Sequence, residues 1–113
     1  MKFKNKEKET MADKLNALFL FLAPGADSSK DRGVVDTPGV LMNTVAVLNY
    51  EDAEKVAVEF VENKGVDAIE VCAGFGHEGI ARLAKAVKGK AYVGAVRFDF
   101  HPNLGFKSGD DVF

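Results

Sequence analysis

Ile69-Glu70-Val71-Cys72-Ala73-Gly74-Phe75-Gly76-His77-Glu78-Gly79 reads as a buried strand, a glycine-rich turn and the start of a helix. A strand that hands over to a helix through glycines belongs to folds in which strands and helices alternate. The neighbouring sequence continues that alternation in both directions.

Upstream, Glu51 to about Lys64 carries Ala53, Val56, Ala57, Phe60 and Val61 at helical spacing, with Glu51, Glu54, Lys55, Glu59 and Glu62 on the opposite face. Asn49 and Asp52 are placed as a capping pair, and Gly65 is the stop signal. Before that helix, Thr44-Val45-Ala46-Val47-Leu48 marks a strand within 41–48. Earlier still, Leu18-Phe19-Leu20-Phe21-Leu22 is apolar without alternation, the pattern of a strand buried on both faces. Asp27 is placed as the N-cap of a short helix reaching about Val35, interrupted by Gly33. Downstream of the glycine turn, Ile80, Leu83, Ala84 and Val87 mark a helix that Gly89 ends, and Tyr92 to Phe100 reads as a last strand. The expected architecture is α/β, βαβαβαβ, with a four-stranded mostly parallel sheet. It is either half of a barrel or a small open flavodoxin-like sheet.

The chain has 113 residues, enough for one domain, with 47% hydrophobic and 28% charged residues. Residues 14–113 are expected to form it, with 1–13 a disordered or extended N-terminal extension rich in Lys and Glu and holding a second candidate start at Met11. The lysines before the Ala17–Ala23 run resemble a signal peptide, but that run is too short and Glu7, Glu9 and Asp13 interrupt the basic region. No segment is long and apolar enough to span a membrane. A net charge of -2 and a pI near 5.7 give no electrostatic case for nucleic acid or an anionic membrane surface. Cys72 is the single cysteine, which excludes an internal disulfide and fits a reducing, cytoplasmic setting.

In a parallel sheet every C-terminal strand end lies on one edge, where ligands bind. That edge gathers Asp27, Asn49 with Tyr50, the Gly74–Gly79 loop, and Arg97, Asp99 and His101. The last three share a face if the strand continues through them. Glu70, on a strand buried on both faces, would be a candidate general acid or base, or a partner for Arg97. The expected catalytic groups are therefore Glu70, His77, Asp99 and His101, and the expected ligand-binding groups are Asp27, Gly74, Gly76, Glu78, Gly79 and Arg97. Cys72 reads as a small core side chain. His77 and His101 with Glu70 or Asp99 have no diagnostic metal spacing, so no metal site is assigned, and no cofactor is identified. Gly74-x-Gly76-x-x-Gly79, with Asp99 about 20 residues on, spells the dinucleotide fingerprint. Glu78 and Phe75 oppose it, and a smaller phosphate or carboxylate on the free helix-start amides suits the loop better.

The blocks Phe21-Leu22-Ala23-Pro24-Gly25-Ala26-Asp27, Cys72–Gly79, Val96-Arg97-Phe98-Asp99-Phe100-His101-Pro102 and Lys107-Ser108-Gly109-Asp110 resemble a family of small prokaryotic proteins catalogued as a domain of unknown function. The resemblance implies a small α/β protein and lends no activity. A weaker likeness, over Gly65 to Val71 and Val93 to Ala95, is to the barrel aldolases of 2-keto-3-deoxy-6-phosphogluconate. It implies a catalytic role at Glu70, while the strand that carries the Schiff-base lysine of those enzymes has no counterpart.

The expected function is a small-molecule site for an anionic metabolite at the strand ends, using acid–base chemistry. The alternatives are a non-catalytic metabolite-binding or regulatory module and a dinucleotide-binding half-fold. A sheet with few helices to cover it, and Phe19, Phe21, Phe98 and Phe100 on two strands, further predicts a homo-oligomer, most simply a dimer.

Overall fold

The computed structural model describes residues 14–113; the extension expected at 1–13 lies outside them. Five strands form one sheet: β1 (Leu15–Leu22), β2 (Arg32–Asp36), β3 (Val40–Val47), β4 (Ala68–Val71) and β5 (Tyr92–Ala95). Two helices connect them, α1 (Tyr50–Lys64) between β3 and β4, and α2 (His77–Ala86) between β4 and β5. The spatial order is β2-β3-β1-β4-β5, with all pairings parallel except β2 on β3.

Taken alone, the parallel strands run second, first, third, fourth. That is the open flavodoxin-like order. A half-barrel requires neighbours in chain order, so the barrel alternative is excluded.

The short helix expected from Asp27 is replaced by a turn and β2. Asp27 does act as a cap: its carboxylate accepts from the Ser29 amide at 3.0 Å and the Ser29 hydroxyl at 2.6 Å, which lowers its pKa. The Asp31 amide bonds the Asp27 carbonyl, closing a single helical turn. Gly33, Val34 and Val35 then favour extended chain, and β2 adds an antiparallel edge. The Arg32 guanidinium grips Glu59 of α1 through two 3.0 Å bonds and lies 5.1 Å over the Phe60 ring. Those bonds raise the pKa of Arg32 and lower that of Glu59.

α1 forms where its stripe requires it. Asn49 accepts from the Asp52 amide at 2.9 Å, while Asp52 accepts from the Leu48 amide at 2.9 Å. Gly65 ends the helix at φ 72°, and the Asn16 amide group donates to the Lys64 carbonyl at 2.6 Å. Asn43, a buried polar side chain, donates to the Ala17 carbonyl at 3.1 Å.

The core lies on one side of the sheet. Leu18, Leu20, Val45, Val47, Ile69 and Val71 share a face by register and pack with Val56, Phe60, Phe75 and Leu83. Each such side chain contributes about 1.5–3 kcal/mol when fully buried. The crossovers β3-α1-β4 and β4-α2-β5 advance in the same direction across the sheet. Right-handed connections then put both helices on the same face, where they pack together. Among the described residues, the opposite face carries no helix. β1, apolar on both sides, is therefore helix-covered on only one of them.

Candidate functional site

Two groups of residues meet at the C-terminal edge of the sheet. The first surrounds the Gly74–Gly79 loop. Among the described residues, α2 begins without a side-chain cap of its own, since Gly76 occupies the N-cap position. The cap comes from the chain's other end. Asp110 accepts from the Glu78 amide at 3.0 and 3.1 Å and from the Gly79 amide at 3.3 Å. Tyr50, the first residue of α1, donates its hydroxyl hydrogen to Asp110 at 3.1 Å and accepts from the buried Gly76 amide at 3.0 Å. The Tyr50 ring stacks on Phe75 at 5.5 Å and is 4% exposed. Burial pushes its pKa up to about 12; the Gly76 amide opposes that shift and the Asp110 carboxylate adds to it.

This arrangement corrects the expectation of free helix-start amides. The amides of Gly76, Glu78 and Gly79 are already bonded within the chain, and a carboxylate of the same chain stands where an anion was expected. The fingerprint glycines have a steric reason. A Cβ on Gly76 would lie 2.3 Å from the Asp110 carboxyl carbon, and one on Gly79 would lie 2.5 Å from the Tyr50 ring. The glycine spacing admits Tyr50 and Asp110. The tail itself folds back as two short 3-10 turns, Pro102–Leu104 and Gly109–Asp111.

The second group is exposed. His77, expected in the loop, is the first residue of α2. Its Nε2 lies 2.8 Å from Arg97 Nη2, and Arg97 Nε donates to Asp99 at 2.8 Å. The side chains of His77, Arg97 and Asp99 are 62%, 54% and 58% exposed. They meet although β5 ends at Ala95 and not at Phe100. β5 can be only as long as its partner β4, whose ladder stops at Val71↔Ala95.

His101 does not join them through a hydrogen bond or ion pair among the described residues. Its ring packs on Phe98 at 5.2 Å and its Nδ1 accepts from the Asn103 amide at 3.1 Å. Glu70 is exposed, not buried, because it points to the helix-free side of β4. Among the described residues it has no hydrogen-bond or ion-pair partner, so its expected pairing with Arg97 is replaced by the Arg97–Asp99 bond. Cys72 Sγ accepts from the Leu22 amide at 3.4 Å and the Gly74 amide at 3.3 Å, closing the crevice between β1 and β4 where the strand order reverses. Asp27 lines a separate open cleft of about 510 Å³ with Asn49, Glu51, Asp52 and Lys55. No cluster of three or more metal-ligating side chains occurs among the described residues. Nor is any helix among them long and apolar enough to cross a membrane.

Residues 15–111 match a family described as a family of unknown function (DUF6506). The chain belongs to that family. The four blocks that carried the resemblance fall within the matched DUF6506 region, and two of them, Cys72–Gly79 and Lys107–Asp110, meet at the Asp110 cap. No curated protein and no solved structure matches this DUF6506 chain. The likeness to the barrel aldolases is thus without a supporting match, and the strand order departs from a barrel.

Proposed function

We propose that this protein binds a small anionic metabolite at the exposed edge formed by His77 and Arg97, as a binding module and not as an acid–base catalyst. The supporting observation is the 2.8 Å approach of the Arg97 guanidinium to the His77 imidazole where α2 begins. A guanidinium has five N–H donors in a planar fork, and Arg97 commits few of them here, leaving donors for a carboxylate or phosphate. Asp99 fixes the fork from the Nε side and would hold it in place for an incoming anion. A binding reading is favoured over catalysis because Glu70 and His101 do not converge on His77. The tail supplies a rim, since Asp110 ties it to the start of the same helix that carries His77.

A thermal-shift screen of small mono- and dicarboxylates, inorganic phosphate and phosphate monoesters tests this. A ligand at 100 times its dissociation constant should stabilise the fold by about 2.7 kcal/mol. The gain should shrink in Arg97→Gln and with added salt. Equal stabilisation of wild type and Arg97→Gln, or none by any anion, would refute the site.

A further inference from the structure

We propose that the helix-free face of the sheet is the interface of a two-fold homodimer whose symmetry axis runs parallel to β1 over Phe19. Register places Phe19 and Phe21 of β1, Met42 and Thr44 of β3, Glu70 of β4 and Tyr92 of β5 on this face. Phe19 and Phe21 stack at 6.3 Å and are half-buried. At the two margins, Val35 is 63% and Tyr92 87% exposed.

Parallel sheets are ordinarily covered on both faces. Among the described residues, no helix lies over this one. The 13 residues before Lys14 carry Lys2, Lys4, Lys6, Lys8, Glu7, Glu9 and Asp13, with only Met1, Phe3, Met11 and Ala12 apolar. From strand rise and spacing, the sheet presents about 460 Å² in projection. Side-chain relief and the Val35 and Tyr92 margins bring it toward the roughly 800 Å² per partner of a stable interface.

Polar complementarity selects the second copy and its orientation. β1 is the central strand, and Phe19 is flanked at the same level by Thr44 on β3 and Glu70 on β4. Among the described residues neither the Glu70 carboxylate nor the Thr44 hydroxyl has a hydrogen-bond partner. An axis across the strands would set Glu70 against its own copy, two carboxylates facing each other in a drying interface. An axis along β1 exchanges the flanks, placing β4 over the other copy's β3. Glu70 then meets Thr44 of the partner subunit, twice by symmetry, around a centre of Phe19 and Phe21. Sheets stacked about 10 Å apart leave a gap that a glutamate and a threonine reaching toward each other can span.

Sedimentation equilibrium from micromolar to about 100 µM tests this, with circular dichroism as the check of folding. The expected mass is twice the 12.2 kDa of the chain. Thr44→Glu, which opposes two carboxylates, should weaken the dimer at least about tenfold, the scale of a like-charge contact in an interface. Adding Glu70→Lys to that variant replaces repulsion by attraction and should restore the dissociation constant to within about threefold of wild type. Val34→Lys, on the helix side of β2 and 61% exposed, should leave association unchanged. A monomer at 100 µM would overturn the proposal. A double variant no tighter than Thr44→Glu, or dissociation by Val34→Lys, would overturn the assigned face and axis.

Discussion

Asp110→Ala removes the group that caps α2 from outside the helix. Its carboxylate accepts from two helix-start amides and from the Tyr50 hydroxyl. Loss of an N-cap costs about 0.5–2 kcal/mol. The Tyr50 hydroxyl, on a ring that is 4% exposed, also loses its acceptor, which adds about 1 kcal/mol. The expected destabilisation is about 1.5–3 kcal/mol, a fall in Tm of roughly 6–20 °C for a domain of this size. Asp110→Asn keeps one acceptor oxygen but loses the charge, and should lie near half that cost. Asp111→Ala, one residue along and exposed, is the control and should stay within about 0.5 kcal/mol of wild type. Urea unfolding followed by far-UV circular dichroism gives the three values. Hydrogen exchange of the Glu78 and Gly79 amides localises the loss. If Asp110→Ala unfolds at the same urea concentration as Asp111→Ala, the cap contributes nothing and the account of α2 given above is wrong.

The raised pKa of Tyr50, about 12 against 10.0, means the folded chain holds that proton more tightly than the unfolded chain. Its contribution is intact below pH 10 and is lost as the pH rises through about 12. Urea midpoints at pH 9 and 11.5 should therefore diverge more for wild type than for Tyr50→Phe, and parallel falls would contradict the assignment. Gly79→Ala drives a methyl group to 2.5 Å from a Tyr50 ring held by Phe75 and the Gly76 amide, so it should cost about 1–3 kcal/mol in the same unfolding assay. A neutral Gly79→Ala would mean that the ring moves freely.

The parts of the fold legible in the sequence were those fixed by short-range periodicity. α1 declares itself through the Ala53, Val56, Ala57, Phe60 stripe, its Asn49 cap and Gly65. The unbroken apolar run of β1 signals a central strand. β2 was hidden because Asp27 really does make a capping bond, but to one turn only, and nothing local tells a single turn from a helix. The length of β5 was set by its neighbour β4, which no reading of 92–100 alone contains. The burial assigned to Glu70 followed from assuming two covered faces, whereas the crossovers place both helices on one.

At the site, the strand-end rule brought Tyr50, His77, Arg97, Asp99 and the glycine loop to one edge. It missed Asp110, which reaches Gly79 from 31 residues away with no periodic signal to announce it. The available cue was the fingerprint itself: glycines next to Glu78, unsuited to pyrophosphate, imply that something else must fit between them.

The cap on α2 also orders events in time. A chain emerging from the ribosome completes α2 some two dozen residues before Asp110 exists, so the Glu78 and Gly79 amides wait for their carboxylate while the Tyr50 hydroxyl has the Gly76 amide but not its acceptor. Closure of the 3-10 turn at Gly109–Asp111 onto the Gly74 loop, where a Cβ on Gly109 would sit 1.8 Å from the Gly74 carbonyl, is therefore expected to follow formation of α2. A nascent or proteolysed chain stopped before Ser108 holds the whole sheet and both helices yet lacks this closure. Such chains are expected to be the protease-sensitive species, with cleavage beginning in the Gly74–Gly79 loop.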